Sequence, residues 1–278
     1  MKFIFTYLLA LISSLAFAQK NSILWQAEKD DVKIYLLGAN HLYPADSISN
    51  KEKINALIKN SDLFISELDM RNDIRDSIFY SRKDNQIERY LGKKDFKIYK
   101  ALFPEDRYIL KLSPAEILLK LYRKEITISC GFEDVELMET YFDNQVERAN
   151  IPILSFESMI DQISSINNFY TYPEKQIWQL IKNNIKKLST NNNSGVCTDK
   201  ALINKNNYVF DFEKEIPEKQ NQVWDERNFK WILTLDDILV NNEYKTIFIK
   251  VGIGHLDYSN GLIMLLKKKG YQLNPIIF

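Results

Sequence analysis

The chain holds two histidines, and both stand in the same local frame. His41 closes Gly38-Ala39-Asn40-His41, and His255 closes Gly252-Ile253-Gly254-His255. Each G-x-x-H follows an apolar, β-prone run, Val32 to Leu37 in the first case and Thr246 to Val251 in the second. Glu67 ends a third such run, Leu63-Phe64-Ile65-Ser66-Glu67. In open α/β sheets, ligands bind beyond the carboxyl ends of the strands. Three strand ends can therefore bring two imidazoles and a carboxylate to one place. Two His and one Glu or Asp form a set that holds a divalent cation with positions left for water or substrate. His255 also lies before an expected helix, whose positive end disfavours imidazolium and keeps the ring neutral, as a ligand or base requires. The blander readings are that each histidine caps a turn and that Glu67 is a solvated turn residue.

The elements that would position these residues follow from the pattern. Ile23 to Gln26 and Val32 to Leu37 read as a hairpin turning at Asp30-Asp31. A helix over about 50–60 then joins the second strand to the strand ending at Glu67, and strand, helix, strand at this spacing implies parallel pairing. Residues 71–130 read mainly as helix, most clearly Pro114 to Lys124, where Ser113 is an N-cap, Pro114 opens the helix and Glu116 completes a capping box. This stretch is expected to lie over the sheet as a helical insertion. Asp134 to Asn150 is an amphipathic helix and Ile151 to Phe156 a short strand. Ser158 to Asn167, Glu174 to Lys187 and Pro217 to Val240 are further helices, with an Asn/Ser-rich loop at Thr190 to Gly195. Gly252 to Asn260 is a turn, Gly261 to Lys269 a helix capped by Gly270, and Tyr271 to Phe278 the last strand. The fold class is thus α/β: a mixed, mostly parallel sheet flanked by helices, with a helical insertion.

At the N-terminus, Lys2 precedes an apolar run from Phe3 to Phe17 and the small-residue frame Ala16-Phe17-Ala18. This reads as a secretory signal peptide over 1–18, cleaved after Ala18, leaving one domain over 19–278 in a periplasm or outside the cell. The apolar run is shorter than the ~20 residues a spanning helix needs. With no Cys directly after the cleavage point and no later apolar span, no stable membrane anchor is expected. The 37 basic and 37 acidic residues balance, so nothing points to nucleic acid or an anionic surface. The 15 Tyr and 16 Phe speak for a full core rather than disorder. Cys130 and Cys197 can form a disulfide after export.

A family resemblance runs through the same residues. Ile34 to Pro44, I-Y-L-L-G-A-N-H-L-Y-P, resembles the first signature of the TraB/GumN family. S-E-L-D at Ser66 to Asp69, G-F-E-D at Gly131 to Asp134 and F-E-S-M-I-D-Q at Phe156 to Gln162 are similar to its later elements. So are E-R-N at Glu226 to Asn228 and V-G-I-G-H-L at Val251 to Leu256. The ordered set covers about Trp25 to Phe278 and departs at Ala39, where a Thr or Ser is usual, and at Phe156, where a Leu is usual. The resemblance implies an erythromycin-esterase/ChaN-like fold and kinship with Tiki metalloproteases. It also implies a metal centre of His41, Glu67 and His255, with Arg227 as an electrostatic partner for an oxyanion or for Glu67; Glu157 matches a family acid of open role.

The expected function is a metal-dependent, peptidase-like hydrolase using Mn, Co or Zn, acting on a peptide or a small molecule. The metal would lower the pKa of its water, and Arg227 would stabilise developing negative charge. Off the metal, Glu67 would be the general base. The alternatives are a metal-free esterase-like hydrolase with a histidine base, and a non-catalytic periplasmic protein that binds haem, metal or peptide.

Overall fold

The computed structural model describes residues 22–68, 74–190, 208–215, 218–241 and 244–277. The expected signal peptide, Cys197 and the loop Thr190 to Gly195 beyond its first residue lie outside them.

The chain opens with the hairpin β1 (Leu24–Lys29) and β2 (Val32–Ala39), paired from Lys29↔Val32 to Leu24↔Leu37. Asp30 makes the turn in the left-handed region at φ 52, which Asp tolerates better than most side chains. After α1 (Lys51–Lys59) the chain returns as β3 (Leu63–Leu68). Four helices follow: α2 (Ile74–Ser81), α3 (Ile87–Leu91), α4 (Lys93–Leu102) and α5 (Pro114–Cys130). The expected capping box on α5 is present, with Ser113 N–H donating to Glu116 Oε2 at 2.7 Å and Glu116 N–H to Ser113 Oγ at 3.3 Å. Next come α6 (Met138–Ala149), β4 (Ile153–Glu157), α7 (Met159–Phe169) and α8 (Glu174–Ser189). The chain ends with α9 (Glu218–Asn241), β5 (Thr246–Gly252), α10 (Leu262–Lys268) and β6 (Gln272–Pro275).

The six strands form one sheet in the order β4-β3-β5-β2-β1-β6. β4, β3, β5 and β2 are mutually parallel, and β1 runs against both β2 and β6. The expected mixed, mostly parallel sheet is therefore what forms. Strand alternation sends alternate side chains to opposite faces. Ile247, Ile249 and Val251 of β5 join Ile34 and Leu36 of β2 in a core with Trp231 and Leu235 of α9 and Leu265 of α10. Phe248 joins Leu37 and Phe64 in a second core with Ile54 of α1 and Phe142 and Val146 of α6. Lys250 shares the parity of Phe248, so the period of 2 carries a lysine into the face covered by α6.

The third core belongs to the helical insertion. Ile117 and Leu121 of α5 pack with Tyr99 of α4 and with Ile181 and Ile185 of α8. The insertion is thus broader than the expected 71–130, because the apolar stripe of α8 has its partner on α5 rather than on the sheet.

Candidate functional site

The parallel strand order lays out the site. From β4 to β2, the carboxyl ends carry Glu157, Glu67, Gly252 leading to His255, and Ala39 leading to His41. The two motif glycines let these ends close up. A Cβ on Gly38 would stand 2.8 Å from Ile253 Cγ1, so the first G-x-x-H turn packs directly on the second. A Cβ on Gly252 would stand 3.1 Å from His41 Nε2 and 3.3 Å from Glu67 Oε2. Its absence lets the Gly252 N–H donate to Glu67 Oε2 at 2.8 Å.

Glu67 is buried and is the hub. Oε2 meets Gly252 N–H and His41 Nε2, the latter at 3.0 Å. Oε1 accepts from Arg227 Nη2 at 3.0 Å and lies 3.4 Å from His255 Nε2. Arg227, from α9, also grips Glu157, Nε to Oε1 at 2.6 Å and Nη2 to Oε2 at 3.0 Å. Glu157 in turn accepts from the Trp231 indole N–H at 2.9 Å. Glu157, whose role sequence left open, therefore orients Arg227, and Arg227 orients Glu67.

Hydrogen bonding sets the state of His255. The Asn228 amide donates to the Tyr258 hydroxyl at 2.8 Å and to the Asn260 carbonyl at 3.0 Å. Its Oδ1 is left as an acceptor, 2.7 Å from His255 Nδ1. Nδ1 thus carries the proton, and Nε2 is a lone pair accepting from Arg227 Nη1 at 3.1 Å. Burial pushes the His255 pKa down to about 3; the Glu67 charge opposes this, while Arg227 and His41 add to it. The ring is neutral, as expected, but not because of a helix end: α10 begins only at Leu262.

His41 is in the opposite state. Glu139 of α6 holds its Nδ1, and Glu67 faces its Nε2. Burial works against a charge on this ring, but the two carboxylates outweigh it and raise its pKa to about 10. Burial would likewise raise Glu139, yet His41 and Lys250 draw it down to about 2. Glu67 is held well below the usual carboxylate range: the facing imidazoles and Arg227 overcome its burial. Lys250 is only 1% exposed and bonds Glu139 and Asp143 at 2.6 Å each. His41 is therefore an imidazolium between two carboxylates, with 38% of its side-chain surface open. It borders a cavity of about 360 Å³, shared with Arg227, His255, Arg123 of α5, Gln162 of α7 and Trp224 of α9.

The structure thus gathers all four residues singled out in the sequence: His41, Glu67, Arg227 and His255. Among the described residues, no group of three or more His, Cys, Asp or Glu side chains is arranged to hold a metal ion. In this arrangement Arg227 Nη1 faces the His255 lone pair and its Nη2 takes Glu67 Oε1, so the guanidinium occupies those two donor atoms. Sequence reasoning missed Glu139, Lys250 and the capping role of Asn228. A signal for the first two was present: Lys250 interrupts an otherwise apolar strand, and a buried ammonium calls for carboxylate partners.

The chain thus combines a six-stranded α/β sheet with a pocket at its carboxyl edge that both histidines border. The TraB/PrgY/gumN family model matches residues 23–275. The chain belongs to that family. No curated protein and no solved structure matches it.

Proposed function

We propose that this chain is an acyl hydrolase, acting on a peptide or ester bond by proton transfer between His41 and Glu67. The observation that carries the reading is the contact itself: an imidazolium open to a cavity, its Nε2 3.0 Å from a buried carboxylate pinned by Arg227 and Gly252. Water attacks the acyl carbon and gives its proton to Glu67. His41 gives its Nε2 proton to the departing nitrogen or oxygen. The proton on Glu67 then returns to His41 across their direct contact, which restores the resting state. With its pKa raised to about 10, His41 is protonated at neutral pH and carries the proton that the leaving group takes. Of the five N–H groups of Arg227, four are committed to Glu157, Glu67 and His255. The remaining Nη1 N–H is the one left to face developing oxyanion charge.

A second reading keeps the metal. It is favoured by both imidazole Nε2 atoms meeting one carboxylate, at 3.0 and 3.4 Å. In this arrangement Arg227 stands against it, with its guanidinium on Glu67 Oε1 and His255 Nε2.

The test uses the protein starting at Gln19, stripped with chelator and assayed on peptide anilides and aryl esters, beside elemental analysis after exchange with Mn²⁺, Co²⁺ and Zn²⁺. Turnover that survives stripping and falls about 100-fold or more in His41→Gln and Glu67→Gln is the expected result. Near-stoichiometric metal that turnover requires, lost in both His41→Ala and His255→Ala, transfers the site to the second reading. Folded protein with no turnover under any loading leaves a binding protein.

We also place this hydrolase outside the cytoplasm. The residue pattern of 1–18 supports that reading, as does the disulfide of Cys130, a bond that persists in oxidising compartments. Mass analysis of the protein expressed with its own leader should find Gln19 as the first residue; an intact leader on soluble protein refutes export.

A further inference from the structure

The cavity at the site is bordered by three cationic side chains, His41, Arg227 and Arg123. Two of them are neutralised from behind. His41 lies between Glu139 and Glu67, and Arg227 holds Glu157 and Glu67. Lys250, behind the wall, is matched by Glu139 and Asp143. Arg123 has no such partner: it makes no ion pair with a described carboxylate, and it is exposed.

Its position is central. A second cavity of about 400 Å³ adjoins the first, and Arg123, His41, Leu119 and Ile166 border both. A ligand beside His41 in either cavity therefore occupies a space that Arg123 also borders. The site side of the wall is aromatic, with Phe169, Tyr170 and Trp224. The other arm adds Lys124, for which no ion pair is present among the described residues. A guanidinium fork beside rings in a concave pocket matches an anion with an apolar body, since the fork takes a carboxylate bidentately and the rings take the rest.

We propose that Arg123 reads a free carboxylate on the ligand, so that the substrates are acyl compounds carrying a carboxylate beside an apolar or aromatic group. The word substrate rests on the hydrolase reading above; the recognition itself does not, and its test needs no turnover.

The experiment is calorimetric titration of the full mature chain with N-acetylphenylalanine and, in parallel, with N-acetylphenylalanine amide. The two probes share their acyl and aromatic parts and differ only at the carboxylate that Arg123 would meet, which the amide replaces with a neutral group. Arg123 is exposed, so the expected preference for the acid is modest, about fivefold. It should vanish in Arg123→Gln, survive in part in Arg123→Lys, and weaken as salt is added. Equal affinity of wild type for the two probes overturns the proposal. So does a preference that persists in Arg123→Gln, which would assign the anion to Arg227 or His41, and so does the absence of binding by either probe at millimolar concentration. Urea melts of both variants check that the fold is kept. A preference that depends on Arg123 in a protein without turnover would sink the hydrolase and leave the anion site standing.

Discussion

Replacing Glu139 by glutamine tests the electrostatic account of the site at its most exposed point. Glu139 holds His41 Nδ1 and is the larger of the two carboxylate influences that raise the ring from 6.5 to about 10. A charge-assisted hydrogen bond contributes about 1.5–3 kcal/mol, which corresponds to roughly one to two pK units at 1.36 kcal/mol per unit. Because 38% of the His41 side chain is open to solvent, screening favours the lower end, a fall of about one unit. The direction follows from linkage. His41 has a raised folded pKa, so the stabilisation by its charge is complete below 6.5 and is lost as the pH rises through about 10. In Glu139→Gln the loss should still begin near 6.5 but should be smaller and complete at lower pH. The chain has two histidines, so long-range ¹H–¹⁵N spectra of histidine-labelled protein, purified without a histidine tag, contain two imidazoles that single His→Gln variants assign. Wild-type His41 should remain an imidazolium through pH 8, while the variant should titrate at least partly within reach. A wild-type midpoint near 6.5, or a midpoint that Glu139→Gln leaves unmoved, would falsify the assignment of His41 as an acid held by Glu139.

Three further outcomes follow from the same geometry. His255 should stay neutral, protonated on Nδ1, down to about pH 4 in those spectra. The unfolded chain takes this proton near 6.5 and the folded chain only near 3, so stability should fall as the pH drops through that window, and less so in His255→Asn. Lys250→Met leaves Glu139 and Asp143 without their ammonium; with both carboxylates partly open, the cost should be about 3 kcal/mol, the low end for breaking a buried pair. Urea unfolding measures it, and Lys250→Met combined with Glu139→Gln and Asp143→Asn should recover most of the loss. In Gly252→Ala the added methyl would sit 3.1 Å from His41 Nε2 and 3.3 Å from Glu67 Oε2. It should shift both imidazole signals and reduce turnover at least about tenfold, as small misplacements of reacting groups do, with little change in the urea midpoint; unshifted imidazole signals would show that the Gly38 and Gly252 turns are not packed as described.

Features that depend on local pattern were legible in the chain alone. Apolar runs ending in glycine marked β2 and β5, the Ser113–Glu116 capping box marked the start of α5, and strand-helix-strand spacing implied parallel β2 and β3. Because parallel strands share one carboxyl edge, the same pattern was enough to bring His41, Glu67 and His255 together. It could not say what state they would hold, because that depends on groups distant in the chain. Glu139 lies 98 residues from His41, and Arg227 lies 160 from Glu67. Whether Glu67 meets a metal or a guanidinium depends on where α9 is laid across the sheet, and whether His41 keeps its proton depends on α6 presenting Glu139 beside Lys250. The same holds for α8, whose stripe is legible in sequence while its partner α5 is not. Spacing decides which residues can share an edge. Charge and protonation there follow from packing, because Coulomb interactions depend on separations in space that only the assembled helices define.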